Sequence, residues 1–216
     1  MNNWIHPPLK HPVRGTMKEE LVQQILSLAA ERGLIRPRDV EALGISRREL
    51  GRLRDAGLLD QPARGLYVRR GRQMSENASL AEAAALVPRG IVCLLSALEY
   101  HGLTTQAPHQ VWIALQPSDW LPTEGRLPLR VVRFSGSAYV EGIEEHDVDG
   151  VRVRVYSPAK TVADCFKYRN KLGTDLALEA LRDCWRQKKC SMDHLWHYAR
   201  VCRVQSVMRP YLESLL

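Results

Sequence analysis

The sequence predicts an α+β fold in two modules, a small basic one at the N-terminus and a larger, nearly neutral one after it. Charge is the first observation: residues 1–73 carry 14 Lys and Arg against 8 Asp and Glu, whereas residues 74–216 carry 17 against 16. Apolar residues at helical spacing dominate the first module, while the second has alternating strand patterns followed by helices. This asymmetry indicates that the first module meets a polyanion and that the second has another role.

The first module opens with two helix signals. Apolar residues recur at helical spacing from Lys18, and Gly33 ends this first helix. Pro37 suits the first turn of a short second helix. Leu43 belongs to the predicted apolar side of this helix, and Gly44 is predicted to end it.

A third helix, from about Arg47 to Ala56, has the strongest functional pattern. Ser46 and Glu49 have the spacing of a capping box, and Leu50 and Leu53 form the predicted buried stripe. Cations in the first turn of a helix cost up to ~1 kcal/mol, which is tolerable where they face phosphates or guanine edges. The other faces of the helix carry its arginines: Arg47, Arg48, Arg52 and Arg54.

A basic hairpin is predicted to follow, with strands at residues 58–59 and 65–68 and a loop at residues 60–64. Helix, short helix, arginine-rich helix and basic hairpin, in this order, predict a winged helix-turn-helix over residues 17–74 that binds double-stranded DNA. The alternative is a small helical domain with a solvated basic face. The candidate DNA contacts are Arg47, Arg48, Arg52, Arg54, Arg64, Arg69 and Arg70, with Arg36 and Arg38 beside them.

Residues 1–16 form a separate proline-rich extension, for which a minor-groove arm and a strap packed on the body remain alternatives. The extension lacks the apolar stretch of a signal peptide, and no apolar run in the chain reaches the ~18–20 residues of a membrane span. The sequence therefore predicts a cytoplasmic protein with no membrane partner.

Residues 75–216 are predicted to form the α+β domain, with a small antiparallel or mixed sheet and C-terminal helices. Two helices come first, one from Leu80 and one over Ile91–Tyr100. Strands are predicted at Val111–Leu115, Leu129–Phe134 and Val151–Tyr156, with Asp149-Gly150 as a turn before the last strand.

Three further helices are predicted to complete this domain. Ser157 is expected to cap the first, over residues 159–172, in which Lys160 and Asp164 pair four residues apart. Thr174 or Asp175 is expected to cap the second, over residues 176–187. The third covers residues 192–215, with a break predicted at Pro210.

One degenerate motif suggests catalysis. Gly136-Ser137 followed by Asp147 and Asp149 has the outline of a nucleotidyltransferase, in which a glycine-serine turn holds phosphates and two carboxylates bind Mg²⁺. The predicted hairpin turn at Asp149-Gly150 argues against this alternative, because it places the carboxylates in a turn. The sequence therefore favours a protein that is not an enzyme and that needs no cofactor.

Two other constellations are weaker. Cys190, His194 and His197 have a spacing that zinc accepts, but no fourth ligand is evident, so no metal site is expected. A Ser96, His101 and Asp119 triad is rejected because no nucleophile elbow surrounds any serine. The candidate sites are thus the arginines of the first module.

Four segments of the chain resemble the AbiEi family, the antitoxin and autorepressor component of type IV toxin–antitoxin systems. The resemblance spans about residues 18–182, and the last two of the four segments are the most specific. The segments are Ser46–Gly57, Arg64–Tyr67, Leu95–Leu103 (LSALEYHGL) and Ser157–Asp164 (SPAKTVAD).

The resemblance implies an N-terminal domain that represses its own operon at inverted repeats in double-stranded DNA. It also implies a C-terminal domain that counteracts a cognate nucleotidyltransferase-like toxin without a stable complex. Nucleotidyltransferase chemistry would then belong to the partner, which weakens the catalytic interpretation of Asp147 and Asp149.

Overall fold

A computed structural model of the chain describes residues 19–63, 65–71, 75–120 and 127–215. The chain divides into two compact units between Gln73 and Met74. The predictions made for residues 1–16 and for Arg64 lie outside the described residues.

The N-terminal unit combines three helices with a three-stranded antiparallel sheet in the order β1-β3-β2. Ile25, Leu50 and Leu53 are fully buried in its core. Its elements are α1 (Glu19–Arg32), β1 (Leu34–Ile35), α2 (Pro37–Glu41), α3 (Arg48–Asp55), β2 (Leu59–Ala63) and β3 (Leu66–Arg69).

The sheet of this unit differs from the predicted hairpin in two ways. Leu34 and Ile35 form the additional strand β1, too short to show a period, which pairs with β3. The strand β2 runs through Pro62 into the predicted loop, and its register with β3 shifts between Asp60 and Ala63. Proline donates no ladder hydrogen bond, so an irregular edge strand is where it is tolerated.

Two local predictions for the N-terminal unit are wrong. Leu43, predicted to be on a buried face, is 53% exposed because α2 ends at Glu41 and the chain turns before it. The capping box of α3 does not form: Arg47 is the N-cap residue without a side-chain cap bond, and Glu49 instead pairs with Arg52.

The C-terminal unit is built on a five-stranded mixed sheet in the order β6-β5-β4-β8-β7. The pairs β4–β8 and β5–β6 are parallel, and the pairs β4–β5 and β7–β8 are antiparallel. The mixed α+β class, with small sheets and C-terminal helices, is confirmed. The strands are β4 (Ile91–Val92), β5 (Val111–Leu115), β6 (Leu129–Arg133), β7 (Ile143–Val148) and β8 (Val151–Tyr156).

Along the chain, helices precede the strands of this sheet, separate some of them and follow the last one. Within the described residues they are α4 (Ala78–Leu86), α5 (Leu94–Tyr100), α6 (Ser137–Val140), α7 (Pro158–Lys167), α8 (Arg169–Leu172), α9 (Thr174–Arg186), α10 (Met192–Val201) and α11 (Gln205–Glu213). None of the helices among the described residues is long and apolar enough to cross a membrane.

Several boundaries predicted for this unit are wrong. Ile91–Val92 is a central strand, not the start of a helix, because it pairs with strands on both sides. The segment Ile143–Val148, for which no strand is predicted, pairs with β8 throughout. The predicted break at Pro210 is instead at residues 202–204, where Arg203 has a φ of +57°, and Pro210 lies inside α11.

Helix ends in this unit also depart from prediction. The helix predicted over residues 159–172 divides at Tyr168 into α7 and α8. Ser157 precedes α7 as predicted, but its side chain makes no cap bond. The N-cap of α9 is Gly173, which precedes both predicted cap residues, Thr174 and Asp175.

The predicted pair of Lys160 and Asp164 forms at the centre of the unit. The Lys160 Nζ donates to both carboxylate oxygens of Asp164, at 2.8 and 2.6 Å, and both residues are buried. The ammonium also lies 4.9 Å from the ring centroid of Phe134 and 4.1 Å from that of Tyr156. Burial raises the pKa of the Asp164 carboxyl, although the Lys160 ammonium opposes this shift.

The close packing around Lys160 extends to the turn before β7. Gly142 has a φ of +74°, and a Cβ built there would lie 2.8 Å from the Lys160 Cβ. Only glycine fits this position, because both the backbone conformation and the space exclude a side chain.

We expect Lys160→Met to lower the free energy of unfolding by about 3–5 kcal/mol, because the buried Asp164 carboxylate would lose its counter-ion. Urea unfolding of the full chain, followed by circular dichroism, measures this loss. The double variant Lys160→Met, Asp164→Leu should lose clearly less than the sum of the two single variants.

The control for this experiment is Lys167→Met, an exposed lysine on the same helix, which should change stability by less than ~0.5 kcal/mol. Equal stability of Lys160→Met and Lys167→Met would contradict a structural role for the buried pair.

Candidate nucleic-acid interface

The helix α3 is oriented by its two buried leucines. Leu50 and Leu53 are fully buried, and at 100° per residue the side chains that lie about 180° around the helix axis from them point outward. The outward stripe therefore consists of Arg48, Gly51, Arg52 and Asp55. Arg47 and Arg54 lie at the sides of this stripe.

Arg48 is the most available cation of this stripe. Its side chain is exposed, and among the residues that the structure describes no carboxylate lies within ion-pair distance of it. Its backbone N–H lies 3.4 Å from the Ser46 Oγ, which orients the first turn only weakly. Arg48 can thus bind an external acceptor without first losing a partner.

The other arginines of α3 have surface partners. Arg47 Nε lies 3.9 Å from Glu41 Oε1, and Arg52 Nη1 donates to Glu49 Oε1 at 3.0 Å. Both arginines are more than half exposed. The pair of Arg47 with Glu41 is exposed on both sides and contributes about 0–1 kcal/mol, so a phosphate can replace this carboxylate at little cost. The Glu49 side chain is only 14% exposed, so opening its pair with Arg52 costs more.

Arg54 has a different role. Its guanidinium donates to Asp55 Oδ1 at 2.9 Å and to Gln61 Oε1 at 2.6 Å. Because Gln61 lies on β2, this second bond joins α3 to the hairpin. Arg54 therefore positions the two elements relative to each other.

The hairpin adds Arg69 and Arg70, both exposed. They line a cavity of about 590 Å³ together with Ala30 and Gly71. Arg70 Nη1 donates to the Gly57 carbonyl at 3.4 Å, directly after α3. A Cβ at Gly57 would lie 2.5 Å from this nitrogen, so the glycine permits the approach of Arg70.

Arg36 and Arg38 flank the start of α2. Arg38 is exposed, whereas Arg36 is half-buried and its backbone N–H donates to Asp39 Oδ2 at 2.7 Å. Burial lowers the pKa of Arg36, and the neighbouring Arg38 lowers it further. Of the two, Arg38 is the better placed for an external anion.

Sequence reasoning missed Gly51 as part of the surface. No heavy atom of the surroundings lies within 4 Å of a Cβ built there, so the middle of the outward stripe is open. A glycine inside a helix costs about 0.5–1 kcal/mol relative to alanine. This cost is a signal visible in the sequence that the position serves something other than packing, since no described residue packs against it.

The motif residues of the C-terminal unit do not assemble into a metal or catalytic site. Asp147 Oδ1 accepts from the Gly150 N–H at 3.0 Å, and Asp149 Oδ2 accepts from the Ser75 hydroxyl at 2.7 Å. Neither aspartate lines the cavity to which Gly136 and Ser137 contribute. The two carboxylates therefore stabilise the β7–β8 turn and its contact with Ser75.

Two of the three zinc candidates contact other residues. Cys190 Sγ lies 2.6 Å from Cys184 Sγ, and His197 Nε2 lies 2.9 Å from Glu141 Oε2. Within the described parts of the chain, no group of three or more His, Cys, Asp or Glu side chains is placed to hold a metal ion.

An exposed, arginine-bearing helix beside a basic hairpin is typical of DNA-binding regulators. Residues 23–70 match the model of a family described as "Transcriptional regulator, AbiEi antitoxin". The match confirms the predicted resemblance over this segment, which runs from α1 to the end of the hairpin. This similarity indicates a DNA-binding regulator; the two most specific C-terminal segments lie outside the matched range.

A solved structure shows the same fold over a larger part of the chain. The RV2827C protein from Mycobacterium tuberculosis is 18% identical, with a TM-score of 0.58 over 84% of this chain and 71% of that one. No curated protein matches the chain. The likeness to RV2827C concerns the fold alone.

We expect Gly51→Ala to raise the free energy of unfolding by about 0.5–1 kcal/mol, because alanine restricts the unfolded chain and meets no atoms in the folded one. Thermal unfolding of the full chain measures the shift. Gly44→Ala is the matched control: its surroundings are equally open, but its φ of +74° strains any side chain, so it should destabilise. Stabilisation by both substitutions would contradict the inference that Gly51, unlike Gly44, occupies an open helical position that accepts a side chain without strain.

Proposed function

We propose that the N-terminal unit is a winged helix-turn-helix and that the protein is a sequence-specific repressor of transcription. The observation that carries the proposal is the outward face of α3, on which Arg48, unpaired among the described residues, lies one turn from Arg52 beside the open Gly51. In helix-turn-helix proteins the second helix of the motif lies in the major groove with its N-terminal residues on base edges. The helices α2 and α3 supply such a pair.

The positions of the arginines in the fold support different roles for them. Arg48 and Arg52 project from the first turns of α3, where base edges are read. Arg69 and Arg70 follow from the hairpin, where a wing contacts the phosphate backbone. Arg47, Arg36 and Arg38 add phosphate contacts beside α3, Arg54 holds α3 to β2, and Arg64 belongs to the predicted wing tip.

The open position at Gly51 also suits close docking. A helix entering the major groove must bring its outward face near the base edges, and a missing side chain at the centre of that face removes an obstacle. Substitution by a large residue such as glutamate would place bulk and negative charge there.

The proposal extends to the biological role. We propose that the protein is a cytoplasmic, non-enzymatic antitoxin of a type IV pair, which represses its own operon at inverted repeats. Its functional partner is a nucleotidyltransferase-like toxin with which it forms no stable complex. The family description supports an antitoxin and regulator, and the nearly neutral C-terminal unit supplies a body that is separate from the DNA-binding arginines.

We expect Arg48→Ala to weaken binding to the promoter DNA of its own operon by about 1–3 kcal/mol if Arg48 reads a guanine. Fluorescence anisotropy with this DNA and with a scrambled duplex measures both affinities. A base contact predicts loss on the promoter alone, whereas a phosphate contact predicts equal loss on both and a salt slope reduced by about one unit.

The matched control is Arg186→Ala, an exposed arginine of the C-terminal unit that pairs with Asp183 at 2.8 Å. It should leave both affinities unchanged. If the double variant Arg47→Ala, Arg48→Ala binds the promoter as tightly as the unaltered chain, the assignment of α3 is wrong.

We expect the double variant Arg48→Ala, Arg52→Ala to lose repression yet still protect cells from the toxin. Protection should persist because the proposed antitoxin function belongs to the C-terminal unit. Growth after co-expression with a nucleotidyltransferase-like toxin encoded in the same operon, at matched protein levels, measures protection. Loss of protection together with repression would contradict the separation of the two roles.

A further inference from the structure

The C-terminal unit contains a cavity of about 540 Å³ that the DNA-binding function does not use. It lies between the end of β6, the end of α7 and the link from α10 to α11. Cavities of about 300–1,000 Å³ are typical of small-molecule sites. The size of this one fits an organic ligand better than a single ion.

The rim of this cavity is cationic. Lys167, Arg200 and Arg203 line it, and all three side chains are exposed. Among the residues that the structure describes, no carboxylate lies within ion-pair distance of any of these three cations. A fourth lining residue, Arg133, already has acceptors within the protein. Its Nη1 donates to the carbonyls of Gln116 and Asp119 at 2.5 and 2.8 Å.

The carboxylate that lines the cavity does not cancel this charge. Asp164 is 2% exposed and accepts two hydrogen bonds from the Lys160 Nζ, so its charge has a counter-ion within the protein. An anion in the cavity therefore meets three cations that lack partners and one carboxylate that is already paired.

The cavity also offers polar and aromatic surface. The Gly136-Ser137 turn, whose sequence suggests phosphate binding, is part of its wall. Tyr168, half-buried, lines the same cavity, and its ring centroid lies 5.7 Å from that of the buried Phe134. The two rings are tilted by 47° to each other, and the Lys171 Nζ lies 5.7 Å from the Tyr168 centroid. A planar base can therefore stack on the part of the Tyr168 ring that lines the cavity.

We infer that this cavity binds a nucleotide, with Lys167, Arg200 and Arg203 on its phosphates and Tyr168 against its base. Arginines favour phosphates because the guanidinium donates two parallel hydrogen bonds. The combination of unpaired cations with an aromatic wall distinguishes a nucleotide from a bare polyphosphate, which needs no ring. The inference concerns the C-terminal unit and holds whether or not the N-terminal unit binds DNA.

Calorimetric titration of the full chain with ATP, in a buffer that contains EDTA, tests the inference. We expect one ATP bound per chain. The double variant Arg200→Ala, Arg203→Ala should weaken binding about a hundredfold, at roughly tenfold for each lost phosphate contact. Arg186→Ala, an exposed arginine that does not line the cavity, is the matched control and should bind as the unaltered chain does.

Two further ligands separate the base from the phosphates. Tripolyphosphate should bind about tenfold more weakly than ATP, because it lacks the base that stacks on Tyr168. Tyr168→Leu should weaken ATP severalfold while leaving tripolyphosphate unchanged. Thermal unfolding of each variant without ligand verifies that the fold is retained.

Three results would overturn the inference. They are no ATP binding at millimolar concentration, equal affinity for ATP and tripolyphosphate, and ATP affinity that is insensitive to Arg200→Ala, Arg203→Ala. If this double variant instead loses affinity for promoter DNA while the unaltered chain ignores ATP, the cavity is a contact surface for nucleic acid.

Discussion

The buried ion pair of Lys160 and Asp164 is the interaction on which the C-terminal unit depends. It sits in α7, which packs against α5, α9 and α10, and the ammonium lies over the rings of Phe134 and Tyr156. Cys202, in the link between α10 and α11, donates to the same carboxylate at 3.2 Å. The ends of β6 and β8, the helix α7 and the link between α10 and α11 therefore all contact this one ion pair. Such a pair is costly to desolvate, which favours the interpretation that it specifies this arrangement of elements rather than adding much to stability.

The N-terminal unit keeps its charged side chains on the surface and has an apolar core. Leu50 and Leu53 anchor α3 in an apolar core. Apart from Arg54, which bonds to Gln61 on β2, the arginines of α3 lie on the surface with one ion-pair partner or, among the described residues, none. A surface pair such as Arg47 with Glu41 contributes little, so it can open when a phosphate or base edge competes. Because Leu50 and Leu53 hold α3 in the core, a substitution of Arg48, which has no side-chain partner among the described residues, should report on binding alone.

The sequence predicts best where one local rule decides the structure. The strands β5 and β8 begin and end at the predicted residues, and the face of α3 follows from the helical period. The failures have tertiary causes: Ile91–Val92 is a strand because it has neighbours on both sides, and Ile143–Val148 is one despite its acidic residues because β8 pairs with it. The bond from Arg54 to Gln61 was equally inaccessible, since no spacing rule joins a helix residue to a strand across a turn.

The nearly neutral net charge of the C-terminal unit gives no sign of the cationic rim of its cavity. Its acidic residues include Glu144, Glu145 and Asp147 on β7, where Glu145 pairs with Arg152 on the adjacent strand, 3.3 Å away. Lys167, Arg200 and Arg203 meet at the cavity instead, without such partners among the described residues. Net charge identified the first module, but the distribution of paired and unpaired cations is what defines a binding surface in the second.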